Sequence, residues 1–177
     1  LNCMDRLVTY GMADKLQQIQ EPSRGKGAVL HFLKNLENYE TFGNDTDLTT
    51  CMKSLQARHS KKGMVLIISD FLYPDGFNDG LRLLQGLKHD VYCLQIHDPK
   101  DLECDMKGDV LLECVETKQT SKVTITKKEA EAYRKAIVEW NDDLKTNCMK
   151  RGLGYLQTTS IDDFEKIVSR IIRKGGL

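Results

Sequence analysis

GMVLIISDFLYPDG, Gly63 to Gly76, is the stretch on which the fold turns. Its consecutive apolar residues, Met64 to Ile68, read as a short strand that is fully buried, as strands of a parallel sheet are. They run straight into Ser69 and Asp70, and Pro74-Asp75-Gly76 then turns the chain. Open parallel sheets bind ligands at the carboxyl ends of their strands. A hydroxyl and a carboxylate at such an end mark the first candidate site.

Upstream of this strand, Leu7 to Gly11 reads as a strand with Lys15 to Gln20 as its antiparallel partner, and Pro22-Ser23-Arg24-Gly25 breaks the chain. Val29, Leu30, Phe32, Leu33 and Leu36 follow helical spacing to about Tyr39. Asn44-Asp45-Thr46 is a turn and N-cap cluster opening a second helix through Leu48, Met52 and Leu55, which Gly63 ends. Downstream, Asn78 to Leu87 predicts a helix, and Asp90 to Gln95 a strand running into His97-Asp98-Pro99. Asp109 to Thr126 then reads as two strands joined by a polar turn around Gln119. Thr126-Lys127-Lys128-Glu129 is a capping box that starts a long helix through Ala132, Tyr133, Ile137, Trp140 and Leu144, ended by Gly152 or Gly154. Tyr155 to Thr158 is a strand, and Ser160 to Asp163 caps a last helix with Phe164, Ile167, Val168 and Ile171 on its apolar side. The alternation predicts an α/β fold, a mostly parallel sheet with helices on both faces plus a β-hairpin insertion, in one domain over 1–177.

Composition narrows the function. Lysine plus arginine number 26 and aspartate plus glutamate 26, with no basic block beyond Arg58 to Lys62 at a helix end, which argues against nucleic acid as a partner. No apolar run approaches the roughly 20 residues of a membrane helix. The start, LNCMDRLVTYG, lacks both a signal-peptide pattern and an initiator methionine, so the chain reads as a cytoplasmic piece of something longer, with an upstream membrane anchor left open. The six cysteines, Cys3, Cys51, Cys93, Cys104, Cys114 and Cys148, form no CxxC pair and read as reduced.

Thr46 opens the helix that leads back to the strand of Met64 to Ile68, so it can reach the edge that carries Ser69 and Asp70. A carboxylate with nearby hydroxyls offers hard oxygen ligands, which Mg²⁺ takes in an octahedral shell at about 2.1 Å. Thr46, Ser69 and Asp70 are thus the candidate metal residues. Thr46 equally suits a helix cap, and Asp70 a turn cap. Ser69 has no Gly-x-Ser-x-Gly around it, and His31, His59, His89 and His97 have no evident base role, so no catalytic residue is assigned. Arg24-Gly25-Lys26-Gly27 lacks the spacing of a phosphate loop.

Several segments together carry a resemblance. Thr46-Asp47-Leu48 opening a helix, VLIISDF, LKHDVYCLQIHDP and the acidic Glu113-Cys114-Val115-Glu116-Thr117 hairpin occur in that order, followed by a helix with Ala132-Tyr133 and then Gly154-Tyr155-Leu156. They resemble the von Willebrand factor A-like proteins of the domain-of-unknown-function family fifty-eight, bacterial companions of MoxR-type AAA+ ATPases. The resemblance implies a Rossmann-like domain with a metal-ion-dependent adhesion site. Thr46 matches that site's second-loop threonine, Asp70 its third-loop aspartate, and Ser69 the residue before it. The first-loop Asp-x-Ser-x-Ser has no match in the chain. The first strand of that fold lies mid-sheet, so the expectation is that it lies upstream of Leu1 and that the site here is incomplete, with poor affinity for Mg²⁺.

The function expected is a non-catalytic protein–protein interaction module with a MoxR-type AAA+ ATPase or its client as partner, in a chaperone-like role. An alternative is a metal-dependent phosphoester hydrolase in which Asp70 and Asp98, on adjacent strand ends, hold two ions about 4 Å apart. A third reading is self-association through exposed strand edges or the hairpin.

Overall fold

The computed structural model describes residues 6–40, 43, 45–59, 61–114 and 118–175. Cys3, Asn44, the Val115 to Thr117 part of the acidic hairpin and the side chain of Val29 lie outside the described residues. The chain divides into two compact units, Leu1–His59 and Ser60–Leu177.

In the first unit, β1 (Arg6–Met12) and β2 (Leu16–Arg24) pair antiparallel as expected. β2 carries on through Pro22, and the ladder slips between Leu7 and Thr9, whose partners are Ser23 and Gln20. A residue without an N–H is tolerated in a strand at such an irregularity, so the break comes only at Gly25, which takes φ +78° ahead of α1 (Lys26–Glu37). Leu30, Leu33 and Leu36 of α1 are exposed. The second helix, α2 (Leu48–Arg58), starts after Asp47, whose carboxylate accepts from the Thr50 N–H at 2.9 Å. Asp47, and not the Asn44-Asp45-Thr46 cluster, is the cap. The Asp47 N–H and the Cys51 thiol both donate to the Ala13 carbonyl, at 2.9 and 3.4 Å, which ties the start of α2 to the hairpin turn.

The second unit contains β3 (Met64–Ser69), α3 (Asn78–Gln85), β4 (Asp90–His97), α4 (Pro99–Leu102), β5 (Gly108–Glu113), β6 (Thr120–Ile125), α5 (Lys127–Lys150), β7 (Gly154–Thr159) and α6 (Phe164–Gly175). Its parallel sheet has the order β3-β4-β7, and β5-β6 is a separate antiparallel hairpin. The architecture is therefore mixed α/β with a three-stranded parallel sheet. β4, central in this sheet, is the strand that carries the core: Val91, Cys93, Leu94, Gln95 and His97 are all buried. Next to it Gly154 of β7 sits so close to Tyr92 that a Cβ there would lie 2.3 Å from the ring. Only glycine fits.

β3 differs from the expectation. Among the described residues it is an edge strand, and only Ile67 is fully buried, while Met64, Leu66 and Ile68 are 54%, 42% and 55% exposed. An unbroken apolar run reads as buried on both faces, but here one face packs and the alternate side chains stay uncovered. The capping box of α5 is present as expected: Thr126 N–H donates to Glu129 Oε2 at 3.1 Å and Lys128 N–H to Thr126 Oγ1 at 3.2 Å. No helix among the described residues is long and apolar enough to cross a membrane.

Candidate functional site

The parallel strands place Ser69 and Asp70, His97 and Asp98, and Thr159 and Ser160 along one edge of the second unit's sheet. The turn leaving β3 is held tightly. The Ser69 Oγ accepts from the Phe71 N–H at 3.0 Å and from the Tyr73 hydroxyl at 2.8 Å. Asp70 Oδ1 accepts from the Leu72 N–H at 3.1 Å. Between them Phe71 takes φ +60°, a left-handed conformation that costs a non-glycine residue about 1–2 kcal/mol. The surrounding structure imposes it. The Phe71 ring is fully buried, and its carbonyl accepts from the Trp140 indole N–H at 3.1 Å. Strain of this kind clusters at binding and catalytic sites. The result is an exposed Asp70 on a fixed turn.

Beneath the turn lies a polar core. Gln95 is 0% exposed. Its amide nitrogen donates to the Asp70 carbonyl and to Asn141 Oδ1, both at 2.9 Å, and its oxygen accepts from the Tyr155 hydroxyl at 2.5 Å. One side chain thus joins the end of β3, α5 and β7. Burial, helped by the nearby Cys148 and Asp142, pushes the Tyr155 hydroxyl well above its ordinary value, so it stays a donor. Along the same strand Cys93 donates to Cys148 of α5, which holds the Cys148 thiol below its ordinary value and Cys93 above it. His97 is 1% exposed, and neither of its ring nitrogens has a hydrogen-bond partner among the described residues.

Sequence reasoning missed Gln95, Asn141 and Tyr155. A readable signal existed for two of them. Gln95 interrupts an otherwise apolar strand, and Asn141 falls on the α5 stripe of Ile137, Leu144 and Cys148, where a polar residue needs a partner.

The nominated metal residues belong to both units. Ser69 and Asp70 are brought together in the second unit, whereas Thr46 belongs to the first, half-buried just before the Asp47 cap. Both acceptor positions of the Ser69 hydroxyl are occupied by donors, and one Asp70 oxygen serves the turn. Among the described residues that leaves one Asp70 oxygen without a hydrogen bond, far short of the shell a Mg²⁺ ion needs in place of its hydration. The residues of this unit do not by themselves fit the ion. Asp98 is also engaged, accepting from the Lys100 N–H at 2.9 Å in a capping box with Asp101 that starts α4.

Comparison with known proteins adds the following. A family profile described as "Protein of unknown function DUF58" matches residues 2–143. An uncharacterized protein of Mycobacterium avium is 29% identical over 134 residues, 74% of this chain and 79% of its own length. An uncharacterized protein of Mycobacterium tuberculosis is 26% identical over 134 residues, and the match spans only 42% of that relative. In fold, the chain is similar to the conserved hypothetical protein BatB from Bacteroides thetaiotaomicron, with TM-score 0.52 and 11% identity over 99% of this chain and 81% of that one. It is also similar to an aerotolerance-related membrane protein from Bacteroides fragilis, with TM-score 0.55 and 12% identity over 98% and 80% of the two chains. These relatives are bacterial.

Proposed function

The chain belongs to the DUF58 family of proteins of unknown function, and we propose, from the geometry around Asp70, that it is a non-catalytic protein–protein interaction module. One observation carries the proposal: an exposed carboxylate, Asp70, stands on a rigid turn at the end of an edge strand whose outward side chains, Met64, Leu66 and Ile68, are apolar and uncovered. An edge strand offers unpaired N–H and C=O groups to an incoming segment, and alternate apolar side chains supply the buried area. Asp70 adds a fixed charge to select the partner.

The resemblance of the Thr46, VLIISDF and LKHDVYCLQIHDP segments to von Willebrand factor A-like domains supports a finer reading. In it the domain is of the Rossmann-like adhesion type with a reduced metal site, and its partner is a MoxR-type AAA+ ATPase or a client, in a chaperone-like role. A cytoplasmic setting goes with such an ATP-consuming partner. In that reading Mg²⁺ would need oxygen ligands beyond Ser69 and Asp70, from other residues or from the partner. With so few ligands in place, the free chain should bind the ion no more tightly than about 1 mM in a calorimetric titration. The alternative reading is a phosphoester hydrolase using Asp70 and Asp98, each of which accepts from a backbone N–H at one oxygen.

The deciding experiment measures binding of a purified MoxR-type ATPase, with and without Mg²⁺, to the wild-type chain and to Asp70→Ala. Affinity is expected to fall by about tenfold, equivalent to about 1.4 kcal/mol. The circular dichroism should not move and the melting temperature should fall by no more than about 5 °C, because Asp70 is exposed and the substitution removes the bond to the Leu72 N–H. Equal affinity of the two proteins, at either Mg²⁺ level, overturns the proposal.

A further inference from the structure

A cavity of the second unit is remote from the Asp70 turn in the chain and is built from other elements. It has a volume of about 620 Å³, in the range of ordinary ligand pockets. Its apolar wall comes from Met106, Leu112, Val123, Ile125 and the ring of Tyr133. The register of the hairpin accounts for this wall: Val110 opposes Val123 and Gly108 opposes Ile125, so one face of β5-β6 is apolar. On that face Val123 is 39% exposed. The Tyr133 hydroxyl donates to the Asp101 carbonyl at 2.8 Å, which fixes its ring in the cavity wall.

The charge around the cavity is mainly negative. Asp101, Glu103, Asp105 and Glu129 border it with Lys100, and the Arg134 guanidinium donates to the carbonyl of Cys104 beside them. Three consecutive β6 residues, Val123, Thr124 and Ile125, also border it, which puts main chain as well as side chains on the wall. Among the described residues β5 and β6 pair only with each other, so each has an unpaired edge.

We infer that this cavity is a second protein-recognition site, which takes an extended peptide segment of a partner with a large apolar residue flanked by lysine or arginine. The apolar residue enters the space between the hairpin and α5, the basic flanks meet the carboxylates, and the peptide backbone adds to the hairpin edge. An acidic peptide is rejected by the same carboxylates. A purely basic peptide gains charge attraction but leaves the apolar wall in water, so it binds weakly and loses most of its affinity in salt. This site does not depend on the interaction assigned to Asp70, and its failure would leave that assignment standing.

The test uses the whole chain and a dye-labelled hexapeptide with leucine and phenylalanine between lysines, read by fluorescence anisotropy. Two further peptides serve as controls, one with glutamate in place of lysine and one with serine in place of the apolar pair. Saturable one-site binding of the first peptide is expected, with both controls at least about tenfold weaker. Val123→Asp and the double variant E103K/D105K should each weaken binding by about tenfold or more, whereas Asp70→Ala leaves it unchanged. Glu103 and Asp105 are exposed, so the double variant folds even if Val123→Asp does not. Equal binding of all three peptides, no saturable binding, or binding that survives the double variant overturns the inference. So does light scattering that finds the chain dimeric with the first peptide unable to bind, since a second copy would then be the occupant.

Discussion

Gln95 shows how much one side chain can hold. Replacing it with leucine keeps a similar volume but leaves the Tyr155 hydroxyl, Asn141 Oδ1 and the Asp70 carbonyl facing an apolar group. Each buried polar group left without a partner costs about 1–3 kcal/mol. Gln95→Leu should therefore lower stability by about 2–4 kcal/mol in denaturant titration, and it should also loosen the turn that presents Asp70. A loss below about 0.5 kcal/mol would mean that these groups find other partners. In the first unit Asp47 has an equally local role. Its carboxylate accepts from both the N–H and, at 2.5 Å, the hydroxyl of Thr50, so Asp47→Ala should cost about 1 kcal/mol. The hydroxyl of Thr50, then its N–H, holds the Asp47 carboxyl below its ordinary value. The unfolded chain therefore takes up this proton at a higher pH than the folded one. The cap's contribution is complete above the unfolded value of about 3.9 and is lost as the pH falls through the depressed folded value. The stability difference between wild type and Asp47→Ala should accordingly be flat from neutral pH to about 5 and shrink in acid.

At the scale of the element, β3 is where prediction and function meet. Natural proteins protect edge strands with charge, and β3 instead exposes Met64, Leu66 and Ile68. Ile68→Lys places a charge on the exposed side, where surface substitutions usually change stability by less than about 0.5 kcal/mol. It should leave the melting temperature in place, reduce aggregation on concentration, and weaken binding of the ATPase proposed as partner by about tenfold. A sharp fall in melting temperature would show that this face is covered in solution, and the docking role of β3 would be lost with it. The hairpin β5-β6 and the capped helix α5 behave differently, because their signals are local. Alternating residues and a four-residue capping box define them without reference to the rest of the chain.

For the whole molecule, the division into Leu1–His59 and Ser60–Leu177 predicts that unfolding is not a single step. The chain has one tryptophan, Trp140, and it lies in the second unit. Its fluorescence therefore reports that unit alone, while far-ultraviolet circular dichroism reports both. The two probes should give separate transitions in denaturant. Gln95→Leu should move the fluorescence transition, and Asp47→Ala only the remaining dichroism signal. Coincident curves that shift together with either substitution would show that the chain unfolds as one cooperative body.

Much of the fold was readable from residues near one another in the chain. The pairing of β1 with β2 and of β5 with β6, the Thr126–Glu129 capping box and the helices around Leu81, Leu144 and Ile167 all follow from short-range periodicity and capping chemistry. So did the juxtaposition of Ser69 and Asp70, which are neighbours in sequence. What the tertiary structure alone decided involves distant partners. The run Met64 to Ile68 has the same composition whether one face or both are covered, and only its place in the sheet order settled that it is an edge. Likewise Gln95, Asn141 and Tyr155 each look like an ordinary polar residue until β4, α5 and β7 converge, because a hydrogen bond across 46 or 60 residues leaves no local trace. Local sequence determines which elements form, since backbone preference and capping act over a few residues. Their order in the sheet, and the polar contacts that hold Asp70 in place, depend on which surfaces exclude water together.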